Sequence, residues 1–297
     1  MAIVQKKSKG KITFDIINYS LLTLIALVCV MPIWHVAMAS LSAPAELQLN
    51  RGLILWPLGQ STLKGYELVF ENPSIMTGYK NTIIYVVLQT ALGILCTIVA
   101  GYILAHKTFV FKGFLMFLIT FTMMFSGGLI PTYMIIKNLG WIDNRLALII
   151  PGCMNAFNII ILRTSIQGIP DSLEESAKLD GAGDLTILFR IIIPLDKATI
   201  AVLILFMAVA QWNSWFNAMI YLKSRKLFPL QLILREILIQ NDVTQVFYGA
   251  DAASRTDIYK PLVRYCTTIV ATLPILCIYP FIQRYFVSGV MIGSLKG

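Results

Sequence analysis

The sequence predicts an all-α, polytopic integral membrane protein with six transmembrane helices. Apolar residues fill 57% of the 297 positions and charged residues only 13%, with a mean hydropathy of +0.75; soluble domains carry about 25% charge. Charge-free runs fall at 16–45, 81–106, 113–136, 146–162, 198–222 and 265–283, each near the roughly 17–25 residues that cross hydrocarbon as a helix. None alternates with period 2 in ~10-residue pieces, as a membrane barrel would. Only helices and closed barrels satisfy their own backbone hydrogen bonds in lipid.

The first run follows Lys6, Lys7, Lys9 and Lys11 and precedes Ala37-Met38-Ala39, a pattern that superficially matches a cleaved secretory signal. It is longer than such a signal's apolar region, and Pro32, Trp34 and His35 interrupt its second half, which suits an uncleaved span. The predicted organisation is an N-terminal tail at 1–15, a six-helix domain at 16–286 and a C-terminal tail at 287–297. With the N-terminus inside, the 24 Lys and Arg divide evenly between the two sides. The short segments decide, because orientation follows basic residues next to the spans: the N-terminal lysines and the Lys107–Lys112 connection both favour the cytoplasm. Both termini and the 163–197 connection are therefore expected inside. The 223–261 segment is expected outside, and at that length it has structure of its own. The net charge of +9 is accounted for by topology and membrane-surface contact, with no sign of a nucleic-acid groove.

Cys29, Cys96, Cys153, Cys266 and Cys277 stand singly in apolar runs without C-x-x-C spacing, as small packing residues do. His35 and His106 lie near run ends, where histidine suits an interfacial hydrogen bond. No G-x-x-x-x-G-K-[ST], G-x-S-x-G or H-E-x-x-H motif is present, which argues against nucleotide hydrolysis, serine catalysis and zinc catalysis by this chain. The expectation is a non-catalytic subunit with no cofactor of its own. The six runs hold no Asp, Glu, Lys or Arg, which weighs against an ion-coupled carrier or channel while leaving it the main alternative.

The charged segment at 169–195 is the exception in a chain poor in charge. Ser172 with Glu175 three residues on reads as a capping box, and Asp171, Glu174 and Glu175 place negative charge in the first turn of a short helix. Gly181 can end that helix in the left-handed conformation, and Asp184 can cap a second helix running toward Pro194. Small Ser176 and Ala177 would let another protein approach the backbone. Within the runs, Asn155, Asn158, Gln211, Trp212, Asn213 and Asn217, with Trp215, combine amides and aromatic faces as a sugar path requires. The same residues also suit packing between membrane helices.

Glu175-Ser176-Ala177, Gly181, Ile191, Ile193 and Pro194 stand in the register E-A-A, three residues, G, nine residues, I-x-L-P, and so resemble the EAA loop of ABC-importer permeases. Ser176 replaces alanine and Ile193 replaces leucine. Ile169-Pro170 and Asp180-Gly181-Ala182 narrow the likeness to the carbohydrate group that includes maltose permease subunits. Leu53–Phe70, Asn81-Thr82, Ile130-Pro131, Leu139-Gly140, Trp212-Asn213 and Pro229-Leu230 extend it along the chain. SGGLIPTY at 126–133 points to the branch for complex or acidic oligosaccharides. The resemblance implies the type I ABC-importer permease fold in a bacterial inner (cytoplasmic) membrane. It implies as partners a second related permease, two ATPase subunits that bind ATP and Mg, an extracytoplasmic binding protein, a sugar and membrane lipid. ATPase coupling would fall to Glu174, Glu175, Ser176, Ala177, Asp180, Gly181 and Pro194. Gly293, Lys296 and Gly297 would reach the ATPase interface, as the tail of the maltose-type subunit does. The 223–261 loop would face the binding protein. In the maltose system the sugar contacts come chiefly from the other permease.

If the first run is an uncleaved span, intact mass of the protein purified from membranes retains the segment from Met1; loss of residues up to about Ala39 would identify a cleaved signal.

Overall fold

The structure, a computed structural model, describes residues 9–238, 258–277 and 280. Gly293, Lys296 and Gly297, the middle of the 223–261 segment and the end of the sixth run lie outside the described residues. Every regular element among the described residues is helical. They group into two compact units, one holding residues up to 72 with 258–271, the other 73–238 with the residues from 272 onward.

The first unit opens with α1 (Lys9–Ser40), which is apolar on all sides. None of its most hydropathic 18-residue window is buried. A helix of that kind needs lipid or another chain as its cover. Its C-terminal end is strapped to the following segment: Ser42 Oγ accepts from Leu58 N (2.9 Å), His35 Nδ1 from Ile54 N (3.0 Å), and Trp34 Nε1 donates to Leu55 O (2.9 Å). Two short helices follow, α2 (Pro44–Leu49) and α3 (Lys64–Glu71). Gly65 of α3 lies against the helical residues 258–271 so closely that a Cβ there would sit 2.5 Å from Cys266 Sγ.

The second unit is built on α4 (Pro73–Ala105), 33 residues and so about 50 Å long. It starts eight residues before the charge-free run at 81, with Pro73 in the first turn, where a missing N–H costs nothing. Its buried residues include Gly78, Thr82, Gln89, Gly93, Thr97 and Gly101, a stripe at helical spacing of small and polar side chains. Small residues let neighbouring backbones approach, as in membrane helix pairs. A Cβ at Gly93 would meet Cys153 O at 2.9 Å, and one at Gly78 would meet the Leu230 backbone at 3.1 Å. Two apolar clusters flank the stripe: Tyr85 with Ile136, Leu148, Tyr221 and Leu232, and Ile98 and Tyr102 with Leu162, Ile187, Ile192 and Leu203.

Three of the expected straight spans are interrupted. The 113–136 run is α5 (Lys112–Met124) and α6 (Leu129–Asn138), bent by 114° where Gly128 takes φ 85°. The 146–162 run divides at Pro151-Gly152 into α7 (Leu146–Ile149) and α8 (Ala156–Ile166), with Asn155 capping α8 by accepting from Asn158 N (3.2 Å). The polar 169–195 segment supplies α9 (Asp171–Leu179), α10 (Asp184–Ile187), a π-helical turn at Leu188–Ile192 and α11 (Ile193–Leu195). The 198–222 run is α12 (Lys197–Trp212) and α13 (Phe216–Tyr221), separated by Asn213-Ser214-Trp215. α14 (Leu230–Leu238) follows a 3₁₀ turn at Arg225–Leu227. Among the described residues two helices, Gly10–Ser40 and Pro73–Ala105, are long and apolar enough to cross a membrane, and up to four spans result if each of the two bent pairs counts as one.

Gly93→Ala should lower the melting temperature of the detergent-purified protein, since overpacking of a tight contact costs about 1–3 kcal/mol. Gly113→Ala, whose Cβ would meet nothing within 4 Å, should leave it unchanged or slightly raised.

Candidate functional site

The polar segment forms a helical corner held against the C-terminal end of α4. α9 begins at Asp171, one residue ahead of the expected cap, with Pro170 in the extended conformation at the N-cap and no side-chain cap bond. The Ser172–Glu175 capping box is therefore not formed. Side chains just past α4 face the first turn instead: Lys107 Nζ pairs with Asp171 Oδ2, and His106 Nε2 lies 3.5 Å from Glu174 Oε2. These acids still sit at the positive end of the helix, where the macrodipole favours them.

The other end of α9 follows the expectation for Gly181. Its φ is 82°, Ala182 N donates to Ala177 O (2.9 Å) and Gly181 N to Lys178 O (3.0 Å), the paired bonds of a Schellman motif. A Cβ at Gly181 would meet nothing within 4 Å, so the backbone conformation and not lack of room calls for glycine. Asp184 is the first residue of α10 and does not cap it; Gly183 holds that place. The Asp184 carboxylate lies 3.5 Å from Lys178 Nζ across the corner.

α9 has two unlike faces. Within α9, Ala177 packs on the cluster around Ile98 and Leu162, as do Ile169 and Ala182 beyond its two ends. Ser172, Glu175, Ser176 and Leu179 are exposed, Leu179 at 89%, and stand at the i, i+3, i+4, i+7 spacing of one helical stripe. Beside them, an open cleft of about 600 Å³ runs between residues 105–108 and 166–178, lined by His106, Lys107, Gln167, Asp171, Glu174 and Lys178 among others.

Cations close the C-terminal end of α4, where unpaired carbonyls carry the negative end of the dipole. Arg163 Nε donates to Leu104 O (3.1 Å), and Lys112 Nζ to Ala105 O (3.3 Å) and His106 O (3.4 Å). Gln167 Oε1 accepts from both Lys112 and Arg163 at 3.2 Å in the orientation that satisfies its amide. The hydrogen bond from Lys107, and then its charge, hold the Asp171 carboxyl below the usual carboxylate range, and the same contact raises Lys107. A lowered carboxyl is stabilising above its ordinary pKa, and the effect is lost as pH falls through the depressed value. A raised amine is stabilising below its ordinary pKa, and the effect is lost as pH climbs through the raised one. The pair is thus intact through the neutral range.

Sequence reading did not single out the contacts of Lys107, Lys112 and Arg163, nor Asp196. Asp196 is buried at the 83° turn before α12, where its Oδ1 accepts from Ser165 Oγ (2.6 Å), while Ser165 Oγ also lies 2.9 Å from Thr199 Oγ1. A basic residue near a span end signals topology; only folding reveals the carbonyls it reaches.

The amide and aromatic residues expected along a solute path are dispersed in role. Asn155 is a helix cap, and Asn213 closes α12 by donating Nδ2 to Val209 O (3.0 Å). Asn158 and Trp212 are buried, Gln211 is half-buried and Asn217 is exposed. Trp212 meets Tyr79 edge-on, 6.2 Å between ring centroids. Among the described residues no group of His, Cys, Asp and Glu is clustered to hold a metal ion.

Comparison with known proteins identifies the family of the chain. Over residues 93–290 the chain matches the family described as binding-protein-dependent transport system inner membrane component. It is 39% identical to the polygalacturonan/rhamnogalacturonan transport system permease protein YtcP of Bacillus subtilis (strain 168), over 96% of this chain and 98% of that one. It is 36% identical to Protein LplC of the same organism, over 98% and 97%. Among solved structures, a bacterial ABC transporter involved in the import of the acidic polysaccharide alginate contains a chain that superposes with a TM-score of 0.86 at 29% identity, covering 95% of this chain and all of that one. An all-helical permease fold is common to both, and such permeases are the non-catalytic, cofactor-free part of their systems. The chain belongs to the family of binding-protein-dependent transport system inner membrane components, the multi-pass permeases of ABC importers.

Proposed function

We infer that this chain is the permease subunit of an ATP-driven importer of oligo- or polysaccharides, and that it receives work from its ATPase partners through α9. The supporting observation is the two-faced α9, with one face packed on the core and a stripe of Ser172, Glu175, Ser176 and Leu179 left without cover. In this reading Glu174 and Lys107 fix the helix to α4, while Glu175, Ser176, Ala177, Asp180 and Gly181 shape the surface that enters the ATPase. Pro194 and Asp196 mark the corner through which the helix turns into α12. The chain crosses the membrane six times with both termini in the cytoplasm, and Gly293, Lys296 and Gly297 reach the ATPase interface. The remaining partners are a second, related permease, an extracytoplasmic binding protein that meets the 223–261 segment, the sugar and the surrounding lipid. Asn155, Asn158, Gln211, Trp212, Asn213 and Asn217 lie toward the path that the two permeases share. The relatives named for polygalacturonan, rhamnogalacturonan and alginate support an acidic saccharide as cargo.

Motion follows from attachment. A rigid displacement of α9 pulls on α4 through Lys107–Asp171 and through the core beneath Ala177, and the far end of α4 carries the 225–230 segment with it.

Gly181→Val should reduce ATP-driven uptake by reconstituted complexes roughly five- to thirtyfold, because a β-branched residue in the left-handed region costs at least about 1–2 kcal/mol. Gly181→Asn, which tolerates that region, should retain most of it. Normal uptake and normal ATPase co-purification with Gly181→Val would refute the docking assignment. Uptake that survives removal of the ATPase but collapses with the ion gradient would favour a carrier instead.

Lys107→Ala should speed amide hydrogen exchange across the first turn of α9 in the intact complex. Exchanging the charges, Lys107→Asp with Asp171→Lys, should restore protection only in part, since a cation at the helix N-terminus opposes the macrodipole.

A further inference from the structure

Away from the coupling corner, at the other apolar cluster, Arg235 of α14 lies over the ring of Trp215, with its Cζ 4.1 Å from the ring centroid. Trp215 stands in the break between α12 and α13 and packs against the Tyr85 and Tyr221 cluster, which fixes the indole as a platform. Trp215, Gln231, Leu234, Arg235 and Leu238 line an open pocket of about 220 Å³.

The charge there is unmatched among the described residues. Arg235 Nη1 has Met219 Sδ as its hydrogen-bond partner, at 3.2 Å, and forms no described ion pair. The acids that meet the 223–225 segment are committed there. Glu236, the next residue, pairs with Arg225. Asp143 Oδ1 accepts from Lys223 N (2.9 Å) and Ser224 N (2.8 Å), and its Oδ2 accepts from Ser224 Oγ. A half-buried guanidinium held flat on an indole keeps its remaining N–H groups in a fixed fork, the geometry that carboxylates match in pairs. Thioether sulfur is a weak acceptor and leaves that capacity largely unused.

We propose that Trp215, Gln231 and Arg235 form a subsite for the carboxylate of a uronic-acid-bearing saccharide. This rests on the reading of the chain as a saccharide permease and adds to it a residue that distinguishes acidic from neutral cargo. Arg235 takes the carboxylate, Gln231 offers an amide donor and acceptor to ring hydroxyls, and the exposed part of Trp215 with Leu234 and Leu238 covers the apolar side of the ring. A neutral sugar would leave the guanidinium without a partner in a half-buried place, a penalty that discriminates more sharply than added contact alone.

The test uses the whole complex with its binding protein in proteoliposomes, and compares ATP hydrolysis stimulated by trigalacturonate with that stimulated by its carboxyl-reduced, neutral counterpart. Arg235→Gln should lower the stimulation by the acidic trisaccharide about tenfold, leaving that by the neutral one, basal hydrolysis and assembly unchanged. Arg235→Lys, which keeps the charge and loses the fork, should fall between them and serves as the reading if Arg235→Gln fails to assemble. Trp215→Leu should weaken stimulation by both saccharides. An unchanged ratio of acidic to neutral stimulation in Arg235→Gln and Arg235→Lys would overturn the subsite alone. An equal loss for both saccharides in Arg235→Gln would also overturn it, assigning Arg235 to an acidic group of a protein partner. If neither saccharide stimulates the unaltered complex, the subsite falls together with the saccharide reading.

Discussion

The second unit depends on one constraint: α4 buries a stripe that carries polar side chains against other helices, and Asn81, Thr82 and Tyr85 on it draw partners from a distant segment. Asn81 donates to Lys226 O (2.8 Å) and Phe228 O (3.1 Å) and accepts from Arg145 (3.1 Å); Thr82 accepts from Leu230 N (2.9 Å), and Tyr85 donates to Leu227 O (2.7 Å). Leaving one such group unpaired would cost about 1–3 kcal/mol. The segment from 225 to 230 is thus placed by the side chains of α4, which use its backbone carbonyls and amide as partners. Further along, Gln89 reaches Gly152 O (3.2 Å) and pins the break between α7 and α8.

The same helix meets the opposite requirement at its C-terminal end. There the backbone itself is left with open carbonyls, and Arg163 and Lys112, from two other helices, supply the donors. Hydrogen bonds to charged donors are about twice as strong as neutral ones, so this end is a joint where α4, α5 and α8 meet next to α9. A coupling helix attached to such a joint transmits displacement, because ion pairs and close-packed small residues resist being stretched while a flexible linker would absorb the motion. α4 links the corner that faces the ATPases in the proposed reading with the segment that presents Arg235 and Trp215.

Much of the architecture was legible in the residues. Mean hydropathy and charge-free runs signalled a membrane chain because burial in lipid excludes unpaired charge, and the register from Glu175 to Pro194 identified the family. Gly181 was legible because a left-handed helix end is a local requirement that few residues meet. As caps, Ser172 was placed two residues late and Asp184 one, the N-caps being Pro170 and Gly183. Cap preference is worth only about 1 kcal/mol, and in the fold Asp171 and Asp184 face Lys107 and Lys178 instead. The Lys107–Asp171 pairing spans 64 residues of sequence and has no local signature.

By itself, the sequence determined composition-level and local facts: apolar runs, the family register and the helix end at Gly181. Tertiary structure alone decided where the runs actually bend, which amides become caps at Asn155 and Asn213, and that Arg163, Lys112 and Asn81 serve α4. It also decided that Arg235 faces Trp215 with no described carboxylate while Arg225 takes Glu236. The physical reason is that propensity and hydropathy act within a few residues, whereas the partner of a buried polar group or charge is chosen by whatever distant backbone or side chain the fold brings within hydrogen-bonding distance.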